Sequence, residues 1–196
     1  AEALGSAYKG KQVGNYGLSA AISFNGNKIV TTGGGGALIT QDAELAARAR
    51  HLSTTARVAG RSDYYHDAIA FNLRLPGLNA SLGLAQLSRL GEYVERKRSL
   101  FRRYQEEFAD IPELYLFEEP ALARSNYWLQ TLVITGDRGL SVMVSEELSR
   151  AGFVCRPSWY PLHLLPMYLN APRAKLPVTE KLSRRIINLP SGPGIC

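Results

Sequence analysis

The sequence predicts a mixed α/β chain in two parts, an α/β part over residues 1–111 and a smaller α+β part over residues 112–196. Three observations carry this. Apolar, strand-like runs at 18–24 and 37–40 flank a loop that holds Lys28, Thr31, Thr32 and the glycines Gly33, Gly34, Gly35 and Gly36. After Pro76-Gly77, the residues Leu84, Leu87, Leu90, Val94, Phe101, Tyr104 and Phe108 recur at helical spacing on one face. Beyond Pro112, short apolar runs alternate with helical stretches, the pattern of an α+β unit.

Taken in order, residues 1–4 read as a helical turn and 14–17 as a turn. A strand over 18–24 then carries Ser23 and Lys28 to its end, where ligands gather in α/β sheets. The glycine loop feeds a second strand at 37–40. Asp42 is placed to cap a helix running through Arg50. Residues 53–71 show no period and read as a long loop. The helix that follows is crowded with Arg89, Arg96, Lys97, Arg98, Arg102 and Arg103. Glu92, Glu95, Glu106 and Glu107 on the same helix favour a solvated, ion-paired face over nucleic-acid binding. In the second part, strands are expected at 114–117, 127–134 and 153–156. Helices are expected at 141–151, with Ser141 near the cap, and at 178–187.

Composition narrows the classes. The chain has 196 residues, 45% hydrophobic and 20% charged, as ordinary globular proteins do. No apolar run is long enough for a membrane helix, and Cys155 and Cys196 form neither a metal spacing nor a disulfide framework. A cytoplasmic location is therefore expected. The net charge of +6 suits an anionic ligand without choosing among nucleotide, cofactor phosphate and nucleic acid.

The glycine loop is not the phosphate loop of NTPases. Lys28 precedes the glycines, and a strand rather than a helix follows them. A lysine in a loop after an apolar strand can serve as an amine nucleophile. It can equally be a solvated surface lysine, and the local pattern alone favours that reading. The stretch Arg156-Pro157-Ser158-Trp159-Tyr160-Pro161-Leu162-His163 combines a forked donor, two aromatics and an imidazole, the composition of a binding loop.

Longer words change the balance. Ala1-Glu2-Ala3-Leu4-Gly5-Ser6, Tyr8-Lys9-Gly10-Lys11, Ser23-Phe24-Asn25-Gly26-Asn27-Lys28 and Thr31-Thr32-Gly33-Gly34-Gly35-Gly36 follow one another closely. With Tyr65-His66-Asp67, Asn72-Leu73-Arg74-Leu75-Pro76, Asn79-Ala80, Gly83-Leu84-Ala85-Gln86-Leu87 and Arg156-Pro157-Ser158-Trp159, they resemble the DegT/DnrJ/EryC1/StrS sugar aminotransferases. These are pyridoxal phosphate (PLP) enzymes of fold type I. The branch it looks most like acts on nucleotide-linked 4-keto-6-deoxy-N-acetyl-hexoses, as in legionaminic-acid synthesis.

The resemblance implies that residues 1–111 are the later part of the PLP-binding large domain, with the long connecting helix, and that 112–196 are a truncated small C-terminal domain. It makes Lys28 the lysine that binds PLP covalently and shuttles protons. Ser23 would bind the cofactor phosphate, Glu2 would lie near its ring, and Asn72 would reach the partner's phosphate across a homodimer. Arg156, Tyr160 and His163 would face the nucleotide sugar. Related sugar 3-dehydratases carry histidine at the position of Lys28, so lysine points to amino transfer. The expected function moves an amino group from an amino acid, L-glutamate by expectation, to the C4 ketone of a nucleotide sugar. An aspartate that pairs with the pyridine nitrogen precedes the match to Ala1-Glu2-Ala3 in the family, so the chain is expected to be a piece of a larger enzyme. The alternative is a non-catalytic partial domain that keeps the fold without binding PLP.

Overall fold

The computed structural model describes residues 1–136 and 140–195. Its elements in chain order begin with β1 (Ala7–Tyr8), β2 (Lys11–Gln12), β3 (Ser19–Ser23) and β4 (Gly36–Thr40). The helices α1 (Ala43–Ser53), α2 (Gly77–Leu87) and α3 (Leu90–Phe108) follow, then β5 (Leu114–Leu116), β6 (Ala123–Arg124) and β7 (Gln130–Ile134). The chain continues with α4 (Leu140–Arg150), β8 (Arg156–Pro157), α5 (Pro177–Ser183) and β9 (Ile186–Leu189). It divides into two compact units, Ala1–Val94 with Pro120–Trp128, and Glu95–Glu119 with Leu129–Cys196. Among the described residues no helix is long and apolar enough to cross a membrane.

In the first unit, β3 and β4 form an antiparallel hairpin in which Ser19 pairs with Thr40 and Ser23 with Gly36. A small sheet of order β2-β1-β6 recruits the returning segment. Asp42 caps α1 as expected, its carboxylate accepting from Leu45 N at 2.9 Å. Residues 1–4 are not helical. Gly5 takes a φ of +86°, and the carbonyls of Glu2 and Leu4 accept from the Asn126 side chain instead of from a helix ladder.

The long helical period is broken. Ser88 closes α2, and Arg89 N bonds to Gln86 O three residues back, a tightened last turn after which α3 starts afresh. Val94 and Phe101 of the predicted stripe are buried, but Leu84 is exposed. The basic residues on this stretch are substantially engaged. Arg89 forks onto Glu92 at 2.9 and 3.0 Å, and Arg98 forks onto Glu119 at 2.8 and 2.7 Å. Lys97 is buried and donates to Ser191 O.

The second unit is built on an antiparallel sheet of order β5-β7-β9-β8. Leu132, Val133 and Ile134 of β7 and Ile187 and Leu189 of β9 are buried, as are Leu100, Phe101 and Leu116 of the same unit. Three expectations fail here. The helix expected over 178–187 stops at Ser183, because Ile186–Leu189 supply the strand that bonds to both β7 and β8. The strand expected over 127–134 starts only at Gln130. Upstream of it, Tyr127 N and Trp128 N bond to the Ser125 and Asn126 side chains, and Tyr127 sits at a φ of +44°. The strand expected at 153–156 is reduced to β8. Cys155 is buried, whereas Cys196 lies outside the described residues.

Candidate active site

The end of β3 is shaped by its return strand. Phe24 N donates to Gly35 O, and Phe24 O accepts from Thr32 N and, at 3.0 Å, from the Thr31 hydroxyl. Between these bonds the chain turns, with Lys28 N on Asn25 O at 3.0 Å, and buried Ile29 and Val30 anchor the turn in the core. Helix α2 holds the far side of the loop. The Gln86 side-chain oxygen accepts from Thr31 N at 2.8 Å, and Asn79 Nδ2 donates to Thr32 O at 2.5 Å.

Two glycines are required for different reasons. At Gly36 a Cβ would meet the backbone oxygen of Ile22, and at Gly35 a φ of +105° strains any side chain.

Lys28 is thereby projected to a defined place. Its Nζ lies 3.2 Å from Glu2 Oε1 and 3.8 Å from the ring centroid of Trp128. Its side chain is only 12% exposed. The expectation of a solvated surface lysine does not describe this residue. Ser23 sits at the strand end, where its hydroxyl accepts from Asn25 N at 3.3 Å and keeps its proton to donate. Asn72 forms an isolated antiparallel bridge with Thr54, and its side chain is exposed.

The structure thus brings Lys28 and Glu2 into contact and places Ser23 at the end of the same strand and loop. Arg156, Tyr160 and His163 belong to the other unit. Arg156 is exposed on β8. Tyr160 is exposed and lines a cavity of about 600 Å3 with Pro157, Trp159, Pro161 and Arg184. His163 is buried, and its Nε2 lies 3.1 Å from Glu180 Oε1, so its ring is committed to α5.

Sequence reasoning missed two residues at Lys28. Trp128 supplies the ring face and donates from Nε1 to Asn27 O at 2.7 Å. Asn126, almost fully buried, donates to Glu2 O and Leu4 O. Read locally, Trp128 falls inside the strand expected at 127–134 and Asn126 directly before it. The available signal was Ser125-Asn126, side chains that compete with a ladder for backbone hydrogen bonds.

A family model for the DegT/DnrJ/EryC1/StrS aminotransferase family matches residues 1–196. The chain belongs to that family. Among DegT/DnrJ/EryC1/StrS relatives, EpsN of Bacillus subtilis is 40% identical over 197 residues, covering 98% of this chain and 50% of the relative. GDP-perosamine synthase of Vibrio cholerae is 35% identical over 200 residues, covering 100% of this chain and 53% of the synthase. Spr1654 of Streptococcus pneumoniae, solved in a PLP-form, superposes with a TM-score of 0.89 at 26% identity, covering 98% of this chain and 51% of that one. The chain spans about half the length of the relatives it matches, and its fold is that of this family's PLP-dependent transferases.

The donor set fits PLP, which carries an aldehyde and a phosphate. Lys28 offers a primary amine, Ser23 a hydroxyl donor, and Glu2 a carboxylate beside the amine. At Gly26 and Gly34 no atom lies within 4 Å of where a Cβ would stand, so a ligand can approach the backbone amides closely.

Proposed function

We propose that this chain is part of a PLP-dependent aminotransferase that moves an amino group from an amino acid, L-glutamate by preference, to the C4 ketone of a nucleotide-linked 4-keto-6-deoxy hexose. The observation that carries it is Lys28. In a chain matched end to end by an aminotransferase family, this lysine alone among the candidate residues combines a nearly buried stem with an amine held at a carboxylate. The name of the Vibrio cholerae relative supports a nucleotide sugar as acceptor.

When bound, PLP supplies the electron sink that stabilises negative charge on the carbon being deprotonated. The chain's residues do the rest. Ser23 would hold the cofactor phosphate by a hydrogen bond from its hydroxyl, and Lys28 would anchor the cofactor through its amine. With its amine free, Lys28 Nζ would take the proton from Cα of the amino donor and pass it to the bound cofactor, and in the second half-reaction would move a proton back from the cofactor to C4 of the sugar. Glu2, 3.2 Å away, orients the amine between these tasks. Asn72, on an exposed bridge, completes the phosphate site of a second subunit in a homodimer. Arg156 and Tyr160 hold the anionic and aromatic parts of the nucleotide sugar. His163 contributes by fixing its loop to Glu180.

The test is borohydride reduction of the full-length protein after incubation with PLP, followed by peptide mass spectrometry and a glutamate-dependent assay. A reduced adduct on Lys28, lost together with turnover in Lys28→Ala, is expected. An adduct on Lys9 or Lys11 with normal turnover in that variant would overturn the assignment.

A further inference from the structure

The segment that returns to the first unit, Pro120–Trp128, touches the lysine loop a hundred residues upstream through the side chain of Trp128. We infer that Trp128 is the positioning residue of Lys28, fixing both the amine and the backbone that carries it. This inference rests on the reading of Lys28 as the cofactor-binding lysine and adds a residue to that site.

The geometry is twofold. The indole face lies 3.8 Å from Lys28 Nζ, close enough for a strong cation–π contact, and the same indole donates from Nε1 to the carbonyl of Asn27 at 2.7 Å. One side chain thus grips the loop at the residue before Lys28 and the ammonium at its tip. A lysine stem has four rotatable bonds, and without such a partner the amine would sweep a wide arc.

Trp128 is itself held. Its backbone N donates to Asn126 Oδ1 at 2.8 Å. Asn126 is 3% exposed, and its Nδ2 donates to Glu2 O at 2.8 Å and to Leu4 O at 2.9 Å. Its backbone N donates to Ser6 Oγ at 2.9 Å. A single asparagine therefore sets the spacing between the indole and the carboxylate, the two groups that flank the amine. The pair forms a resting cleft for the ammonium whenever the amine is not engaged.

The experiment uses the full-length protein stripped of cofactor, so that the readout does not depend on activity. A brief pulse of isotopically labelled acetic anhydride, read by mass spectrometry, gives the labelling of Lys28 relative to the exposed Lys9 and Lys11 of the same molecules. Trp128→Leu removes the ring face and the N–H, and Trp128→Phe removes the N–H and keeps a smaller ring face. The relative labelling of Lys28 should rise about tenfold in Trp128→Leu and about threefold in Trp128→Phe, following the strength of the contacts removed. A packing role alone would lower stability and leave the ratio in the folded protein unchanged. An unchanged ratio in either variant overturns the inference, and Trp128→Phe decides the matter if Trp128→Leu does not fold. A wild-type protein that gives no borohydride adduct on Lys28 instead overturns the functional reading, while the labelling ratio still reports on the Trp128 contact.

Discussion

Replacing Gly36 by alanine probes the frame on which Ser23 and Lys28 are mounted. Gly36 is the residue paired with Ser23 in the β3–β4 ladder, and an added Cβ would stand 2.4 Å from Ile22 O, 3.5 Å from Ile22 C and 3.8 Å from Ser23 Cα. The obstacle is backbone, so no rotamer change relieves it. Either the hairpin splays or the ladder bond at its mouth is lost. Overpacking of this kind costs about 1–3 kcal/mol, and a clash with a carbonyl belongs at the upper end, about 3 kcal/mol. Gly34→Ala is the matched control. It meets no atom within 4 Å and its φ is not left-handed, so it should be neutral or stabilise by about 0.4–1 kcal/mol through the unfolded chain. Urea unfolding of both variants reads the difference as a fall in midpoint at unchanged slope for Gly36→Ala only. Because the splay moves Ser23, PLP affinity should fall in the same variant. Stability of Gly36→Ala within about 0.5 kcal/mol of wild type, the range of an innocuous surface change, would refute the reasoning.

Three further outcomes are expected. The forked pair of Arg98 and Glu119, each 19% exposed, should show a coupling energy of about 1–2 kcal/mol in a double-mutant cycle, between the values of exposed and buried pairs, and little salt dependence. Burial pushes the Cys155 thiol up, so the unfolded chain loses its thiol proton first. Stability from this residue is then complete below about pH 8, falls as pH rises through the unfolded thiol's range near about 8.5, and should be pH-flat there in Cys155→Ala. Arg156→Ala should raise KM for the nucleotide sugar about tenfold, the worth of a charge-assisted hydrogen bond, and leave PLP loading intact, as steady-state kinetics and absorbance will show. An unchanged KM would remove Arg156 from the substrate site.

Much of the scaffold is written locally. The strands β3 and β4, the Asp42 cap and the burial of Val94 and Phe101 on α3 follow from apolar runs, capping chemistry and helical period, each set by neighbours within a few residues, whereas the pairing of the two strands does not. Local pattern alone does not single out Lys28 and Ser23, since it fits a solvated lysine as well; the resemblance of the words around them to the family does. What local pattern could not decide lies where distant segments compete for the backbone. Ile186–Leu189 extend helical periodicity on paper, yet the open edges of β7 and β8 take their hydrogen bonds and make a strand of them. The period over α2 and α3 breaks at Ser88, a turn that the spacing of leucines does not record. The neighbours of Lys28 are the clearest case. Glu2 lies 26 residues before it, and Trp128, whose indole donates to the carbonyl just before the lysine, comes 101 residues after the residue it binds. Contacts at such separations exist only once the chain has closed on itself, since no local preference of an Asn-Tyr-Trp run dictates which lysine its indole will cover.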